Sequence, residues 1–554
     1  MMAQAMYDSL SLAEKAEFDE GTTQPAMLYL LDSNDAPSEG QRRVLVSSLS
    51  TVIREQAGAE EEVLVLEEQL EEARSRRDAL SKLADKHHGA LSLLRTIPPE
   101  LLSQIFVHCL PPDDHYPSSR TPPLTISQVC CAWRAIALRT PRLWSTVGFI
   151  LSEVSRDEIW TSLMKLWLAR AGACPLGLTY TCPGIDAREC TKYLVQNLSR
   201  CRRLELHLST VVLTTDIPSV DLPLLDSLII YANYPHHYWD QDIDAFNLSP
   251  MLRSFSLVWD NKTQRSSGSR YPIVHFVLPY SRLTELELTG LYYVASILKV
   301  LENCETLETC TIKDCETHPL LEDLESLPDV CLPSLHTFDL GAVDSTIILL
   351  RMLTLPSLRH LHVGSNGELT SPPVIALLSR SRCQLETLKL SFYKRFFRRS
   401  ADFLEFARSM PSLTTLHLCC NRPDRIQFWD DATLETLTYK PAKNNSSPCL
   451  LPNLRDLNIK VRGPDDANVS AEIRLELESQ PSSDVAEAFL RSRSKHWVAN
   501  SGHAYATLER GYVGVYLPGG DWRFWSLSES GEVVTGHPDQ ANWKEYQSDS
   551  DDDA

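Results

Sequence analysis

Leu385-Glu386-Thr387-Leu388-Lys389-Leu390 is one copy of a pattern, Leu-x-x-Leu-x-Leu, that keeps returning through this 554-residue chain. Clear copies run Leu283-Leu286-Leu288, Leu358-Leu361-Val363, Leu413-Leu416-Leu418 and Leu454-Leu457-Ile459. Weaker ones are Cys201-Leu204-Leu206, Leu225-Leu228-Ile230, Leu252-Phe255-Leu257, Leu307-Cys310-Ile312, Leu335-Phe338-Leu340 and Leu434-Leu437-Tyr439. The copies start 20 to 31 residues apart. The apolar alternation that closes each copy predicts a short strand with one face buried. Return at that interval predicts a stack in which every unit completes its neighbour's core, because a single unit cannot close one.

Between the strands, helical spacing appears from Ser371 to Ser381, with Val374, Ile375, Leu377 and Leu378, and from Ala401 to Met410, with Phe403, Leu404 and Phe406. The predicted class is therefore α/β. The intervening strand positions face outward, and Thr284, Glu285, Glu287, Arg359, His360, His362, Glu386, Lys389, Thr415, His417, Arg455 and Asp456 fall on or beside that face. A protein client is expected there, with Glu285, Glu287, His360, His362, Lys389 and His417 as its candidate contacts. Their mixed charges announce neither an acidic nor a basic ligand.

Ahead of the repeats, Ile97 to Trp144 reads as two amphipathic helices separated by a proline-rich loop. Pro98 and Pro99 open the first, where a missing amide hydrogen has no partner to lose. Leu101, Ile105 and Cys109 recur at helical spacing with Leu102 and Phe106 beside them. Ile126, Val129, Cys130, Trp133, Ile136 and Ala137 form the second stripe, which ends at Pro141 before Leu143-Trp144. The ordered set of an apolar-Pro pair, Glu100-Leu101, Ile105-Phe106, Val129-Cys130, Trp133-Arg134 and Leu143-Trp144 resembles the F-box family. One departure is a loop from Pro111 to Pro123 that is longer than the commonest F-box connection.

That resemblance implies a binding role. The short helices would dock a Skp-type adaptor and, through it, a cullin and a RING ubiquitin ligase, with Pro98, Leu101, Leu102, Ile105, Leu110, Val129 and Trp133 making or bracing the contact. Two helices in so short a module cannot bury their apolar residues alone, and a leftover apolar patch is usually an interface. The repeats resemble the irregular leucine-rich repeats of fungal F-box proteins, including the Leu-Pro-Ser/Asn-Leu openings at Leu332, Leu355 and Leu451. The resemblance implies a leucine-rich-repeat-like solenoid with a concave client face. The Asn ladder of regular repeats is missing.

Glu60 to Leu94 reads as one long helix with a heptad seam through Val63, Leu66, Leu70, Ala73, Arg77, Leu80, Ala84, His87, Leu91 and Leu94. It predicts a modest coiled coil, interrupted at Arg77 and His87. It suits either a second copy of the chain or the neighbouring helical module, and the spacing favours neither. After Ile459 the leucine pattern fades. Ala486 to Trp497 has helical composition, and Tyr512 to Leu517, a Pro-Gly-Gly turn and Trp522 to Trp525 read as a hairpin that caps the stack. The tail Ser548-Asp549-Ser550-Asp551-Asp552-Asp553 is acidic.

The predicted organisation is thus 1–59 loosely ordered and helical, 60–94 coiled-coil helix, 95–150 F-box, 151–200 connecting helical region, 201–462 solenoid, 463–546 C-terminal cap and 547–554 acidic tail. A composition that is 43% hydrophobic supplies a sizeable core. A formal charge of -20 argues against a broad grip on nucleic acid or an anionic membrane. Lys394-Arg395-Phe396-Phe397-Arg398-Arg399 is a local basic stretch, and it reads as a solvated turn edge rather than an RNA or acidic-partner site. No start resembling a signal peptide and no apolar run long enough for a bilayer is seen. The fifteen cysteines lack a framework spacing and read as reduced thiols of the cytoplasm or nucleus.

The catalytic signatures sought are absent: no phosphate loop, no nucleophile elbow, no His-Glu-x-x-His helix and no Cys-x-x-Cys pair. His87-His88 lies in the heptad helix and His236-His237 in a predicted loop, and neither has a nearby Cys or further His at ligand spacing. No enzyme activity, metal or cofactor is expected. Two classes of function remain. One is the substrate receptor of a Skp/cullin/F-box ubiquitin ligase complex, and the other a ligase-independent protein-binding scaffold dimerised through the coiled coil.

Overall fold

The computed structural model describes residues 29–111, 116–151, 157–182, 188–209, 212–213, 216–233, 242–259, 276–290, 292, 294–313, 328–341, 346–365, 369–392, 396–397, 399–420, 431–438, 450–461, 482–494, 507–517, 521–528 and 532–536. They fall in two compact units that divide at Leu101/Leu102.

The first unit is dominated by helix α1 (Glu39–Leu91), 53 residues long. It begins well before Glu60 because Ser38 makes a capping box: the Ser38 hydroxyl accepts from the Gln41 amide, and the Gln41 side chain accepts from the Ser38 amide. The helix buries none of its residues. Beyond it the chain turns at Ser92 into a short 3-10 turn, Leu93–Thr96, so the seam residue Leu94 lies outside the α-helix.

The second unit is built on one sheet of fifteen described strands. They are β1 (Thr146–Ile150), β2 (Leu176–Cys182), β3 (Cys201–Ser209), β4 (Ser227–Asn233), β5 (Ser254–Trp259), β6 (Glu285–Thr289), β7 (Thr309–Lys313), β9 (Thr337–Leu340), β11 (His360–Ser365), β12 (Thr387–Phe392), β13 (Thr415–Cys420), β14 (Asp456–Val461), β15 (Arg510–Leu517), β16 (Asp521–Leu527) and β17 (Val533–Gly536). Two short segments, β8 (Val330–Cys331) and β10 (Leu353–Thr354), pair with each other apart from it. Strands neighbour in sequence order and run parallel from β1 to β15, and an antiparallel β15-β16-β17 meander closes the series.

The register explains the spacing of the motif. Its second Leu recurs directly opposite itself as Leu204, Leu228, Phe255, Leu286, Cys310, Phe338, Leu361, Leu388, Leu416 and Leu457. The third forms a parallel row from Leu206 and Ile230 through Leu390 and Leu418 to Ile459. Both rows are buried, and each such side chain contributes roughly 1.5 to 3 kcal/mol. Helices stand between strands at α6 (Arg188–Asn197), α7 (Val294–Leu301), α8 (Thr346–Met352), α9 (Ser371–Ser381) and α10 (Ser400–Arg408). Of these, α9 and α10 bury Val374, Leu377, Leu378, Phe403 and Phe406.

In place of an Asn ladder, the residue before the first motif Leu reaches back to the preceding repeat at several of the copies. Ser357 Oγ donates to Pro333 O at 2.5 Å, Ser412 Oγ to Leu385 O at 2.7 Å, Asn453 Nδ2 to Pro411 O at 3.0 Å, Thr306 Oγ1 to Leu283 O at 3.0 Å and Arg282 Nη1 to Pro250 O at 2.6 Å. The equivalent positions at Leu224 and Met251 carry exposed apolar side chains. Ser412→Ala removes one rung and is expected to lower unfolding free energy by about 1 kcal/mol in urea titration. A loss below a few tenths would show that water replaces the rung at no cost.

Three elements differ from the expectation. The sheet starts at β1 and β2, inside the stretch expected to be F-box and connecting helices, because Leu176, Leu178, Tyr180 and Cys182 alternate like a strand although the full motif is lacking. Leu434-Leu437 is not a repeat strand but belongs to α11 (Asp431–Leu437), where buried Thr433, Leu434 and Leu437 have helical spacing. Phe396 and Phe397 are buried in a cluster with Phe392, Phe403 and Phe406, so this pair is core rather than a solvated edge. Lys394, Arg395, Arg398, His236-His237 and the acidic tail lie outside the described residues.

Candidate interaction surfaces

The module between α1 and the sheet comprises α2 (Pro99–His108), α3 (Leu124–Val129), α4 (Cys131–Leu138) and a 3-10 turn, Pro141–Trp144. The second predicted helix is split: Cys130 is extended, and its sulfur caps α4 by accepting from the Trp133 amide at 3.4 Å. Trp144 anchors the module's end. It is fully buried, donates from Nε1 to Ala137 O at 2.9 Å and packs edge-on against Trp167 on α5 (Asp157–Ala171) with ring centroids 4.9 Å apart. The Arg170 guanidinium lies 4.4 Å from the Trp144 ring.

The predicted adaptor residues separate into two groups. Leu102, 6% exposed, is buried along with Phe106, and Trp133 sits half-buried with its ring 4.8 Å from that of Phe106. Leu102 therefore belongs to the buried side of the module. Leu101, Ile105 and Val129 are 51%, 47% and 60% exposed, Pro98 is exposed and Leu110 is half-buried. Leu101 and Ile105 lie one turn apart on the same face of α2. Leu138 is a further exposed apolar residue that the sequence reading passed over, although it falls at helical spacing after Arg134.

The predicted client residues all lie on the half-exposed face of the sheet. Glu287, Thr311, Asp339, His362, Lys389, His417 and Asn458 stand opposite one another in one row. Glu285 and His360 belong to the adjoining row with Thr309 and Thr337. Side chains on these rows interact along the sheet: His362 Nδ1 lies 3.0 Å from Asp339 Oδ1, His417 Nε2 3.2 Å from Asp456 Oδ1, and Ser256 Oγ donates to Glu287 Oε2 at 3.2 Å. The two imidazole contacts are short but poorly aligned as hydrogen bonds, so they are close polar pairs rather than full bonds. Arg359, Glu386 and Arg455 fall one residue before their strands, at the sheet's edge, where Arg359 pairs with Glu386 at 3.3 Å and Arg455 with Glu509 at 3.5 Å.

The sequence reading missed a second cluster. His207 Nε2 is 2.9 Å from Glu205 Oε1, and its ring stacks on Tyr231 at 4.1 Å. The signal was present, since Glu205, Tyr231 and Asp339 follow the same alternation as Glu287 and Lys389, but in weaker copies of the motif.

No group of three His, Cys, Asp or Glu side chains among the described residues could hold a metal ion. Burial pushes the Cys201 and Cys304 thiols up to about 12, which leaves them protonated and unreactive. No helix among the described residues is long and apolar enough to cross a membrane.

Residues 94–150 match the family model described as F-box-like, so the chain carries an F-box-like domain that coincides with the α2 to α4 module and β1. Domains of that family generally bind Skp-type adaptors. No curated protein matches the chain.

Proposed function

We propose that this chain is a substrate-recognition subunit of a Skp/cullin/F-box ubiquitin ligase. In this reading the F-box-like module holds the adaptor, and the sheet is a leucine-rich-repeat-like solenoid whose half-exposed, concave face holds a protein client. The observation that carries it is the F-box-like match together with the exposure of Leu101, Ile105 and Val129, apolar side chains that a partner would cover. The protein itself catalyses nothing: it raises the effective concentration of client lysines near the charged ubiquitin-conjugating enzyme. It works in the cytoplasm, the nucleus or both, and the free thiols of its described cysteines suit a reducing compartment.

The test is co-expression of the full chain with a Skp-type adaptor and purification through the adaptor. A stoichiometric complex is the expected result. Failure of a folded chain to co-purify would transfer support to a ligase-independent interaction scaffold, which the exposed helix α1 favours. In both readings α1 is the element through which the chain self-associates.

A further inference from the structure

We infer that α1 pairs with a second copy of itself in the antiparallel orientation, in a register that sets Leu70 against Ala73 of the second copy. The inference rests on the proposed self-association and goes beyond it by fixing direction and register.

The seam is longer in the structure than the predicted span, because the same heptad register runs back through Ala59, Gln56, Val52, Leu49 and Leu45 inside the helix. Val52, Leu49, Val63, Leu66, Leu70 and Leu80 are all exposed, and a stripe of that kind along a 53-residue helix calls for a cover. Charge along the helix is polarised. Glu60 to Glu72 holds seven glutamates and no cation, and Arg74 to His88 holds Arg74, Arg76, Arg77, Lys82 and Lys86 against Asp78 and Asp85. A parallel pair would bring like against like: Glu55 would face Glu60, Glu62 would face Glu67, and Arg77 would meet its own copy in the core.

The antiparallel register resolves each conflict. Its layers are Leu70 with Ala73, Leu66 with Arg77, Val63 with Leu80, Ala59 with Ala84, Gln56 with His87 and Val52 with Leu91, every pair occurring twice by symmetry. Polar Gln56 thus meets polar His87, and small Ala59 meets small Ala84. Flanking the layers, Glu67 faces Arg74 and Gln69 faces Arg76, and no flanking pair has like charge. Sliding by one heptad sets Glu67 against its own copy in one direction and Arg74 against its own copy in the other. The paired span from Val52 to Leu91 is about 60 Å long, with the Leu91 residues of the two copies at opposite ends of it.

Sedimentation equilibrium of the full chain tests this. Wild type is expected to dimerise. Glu67→Lys sets a second cation against Arg74 and is expected to raise the dimer Kd about ten-fold, and Arg74→Glu to do the same by setting two carboxylates together. The double variant E67K/R74E restores an opposite pair and should return within about two-fold of wild type. In a parallel pair Glu67→Lys would instead face Glu62 and tighten the dimer, so a tighter or unchanged E67K overturns the orientation. A monomeric wild type at tens of micromolar would overturn self-association itself. Because these side chains are exposed in the single chain, the substitutions leave its folding intact, which circular dichroism checks.

Discussion

Ile105→Asp is expected to abolish co-purification with a Skp-type adaptor, weakening the complex at least about 100-fold, while thermal unfolding of the chain stays unchanged. The two halves of this expectation have one cause. Ile105 is 47% exposed on α2, so a carboxylate there remains hydrated in the free chain and costs little. Covered by an apolar partner surface, the same carboxylate would lose its water without gaining a counter-charge, at a cost of several kcal/mol. Leu102→Asp supplies the contrast: that side chain is 6% exposed, and the substitution should unfold the module and abolish binding for a different reason. Pull-down through the adaptor, with melting curves of both variants, separates the cases. If Ile105→Asp binds as wild type, α2 does not form the adaptor contact.

Arg493→Leu is expected to destabilise the end of the second unit by about 3 kcal/mol or more. Arg493 is 3% exposed at the C-terminal cap of α12 (Ser483–Ser492). Its guanidinium donates to Leu451 O at 2.8 Å, Leu437 O at 3.1 Å and Leu450 O at 2.6 Å, so one side chain satisfies carbonyls from α11 and from the turn before β14. A leucine fills similar space but leaves those oxygens buried without donors, and each orphan costs about 1 to 3 kcal/mol. Lysine keeps the charge but cannot reach all of them, and should fall between. Hydrogen exchange should show the loss concentrated in β14 to β16, where Trp525 Nε1 donates to Ser483 Oγ at 3.1 Å. An unfolding midpoint in urea that does not move would remove Arg493 from this role.

What was legible in the sequence divides along physical lines. Strong periodicity was readable: Ser371 to Ser381 is helical over the predicted span, the clear motif copies are strands, and the hairpin after Tyr512 is present as β15 and β16. The F-box-like module was readable because an ordered set of residue types carries more information than any one stripe. Short apolar pairs were not decisive. Leu434 and Leu437 fit a strand motif and a helix turn equally well, and packing chose the helix. Arg493 gave no signal, because nothing local marks an arginine whose partners lie 42 to 56 residues earlier. The same limit hid the pairing of His362 with Asp339, which depends on the register of neighbouring strands.

The sequential order of the strands bears on how the chain acquires its structure during synthesis. From β1 to β15 every strand of the sheet pairs with the one before it along the chain. Within this sheet no described strand must wait for a distant one to be translated, so each can dock as it clears the ribosome, on a template already laid down. The growing edge is an unpaired strand at every stage, and an exposed edge invites pairing with other nascent chains. Among the described strands of the sheet, the meander β15-β16-β17 alone reverses direction, and it ends the parallel series. A message truncated before that meander would leave a polypeptide with an ordered body and an open, adhesive edge.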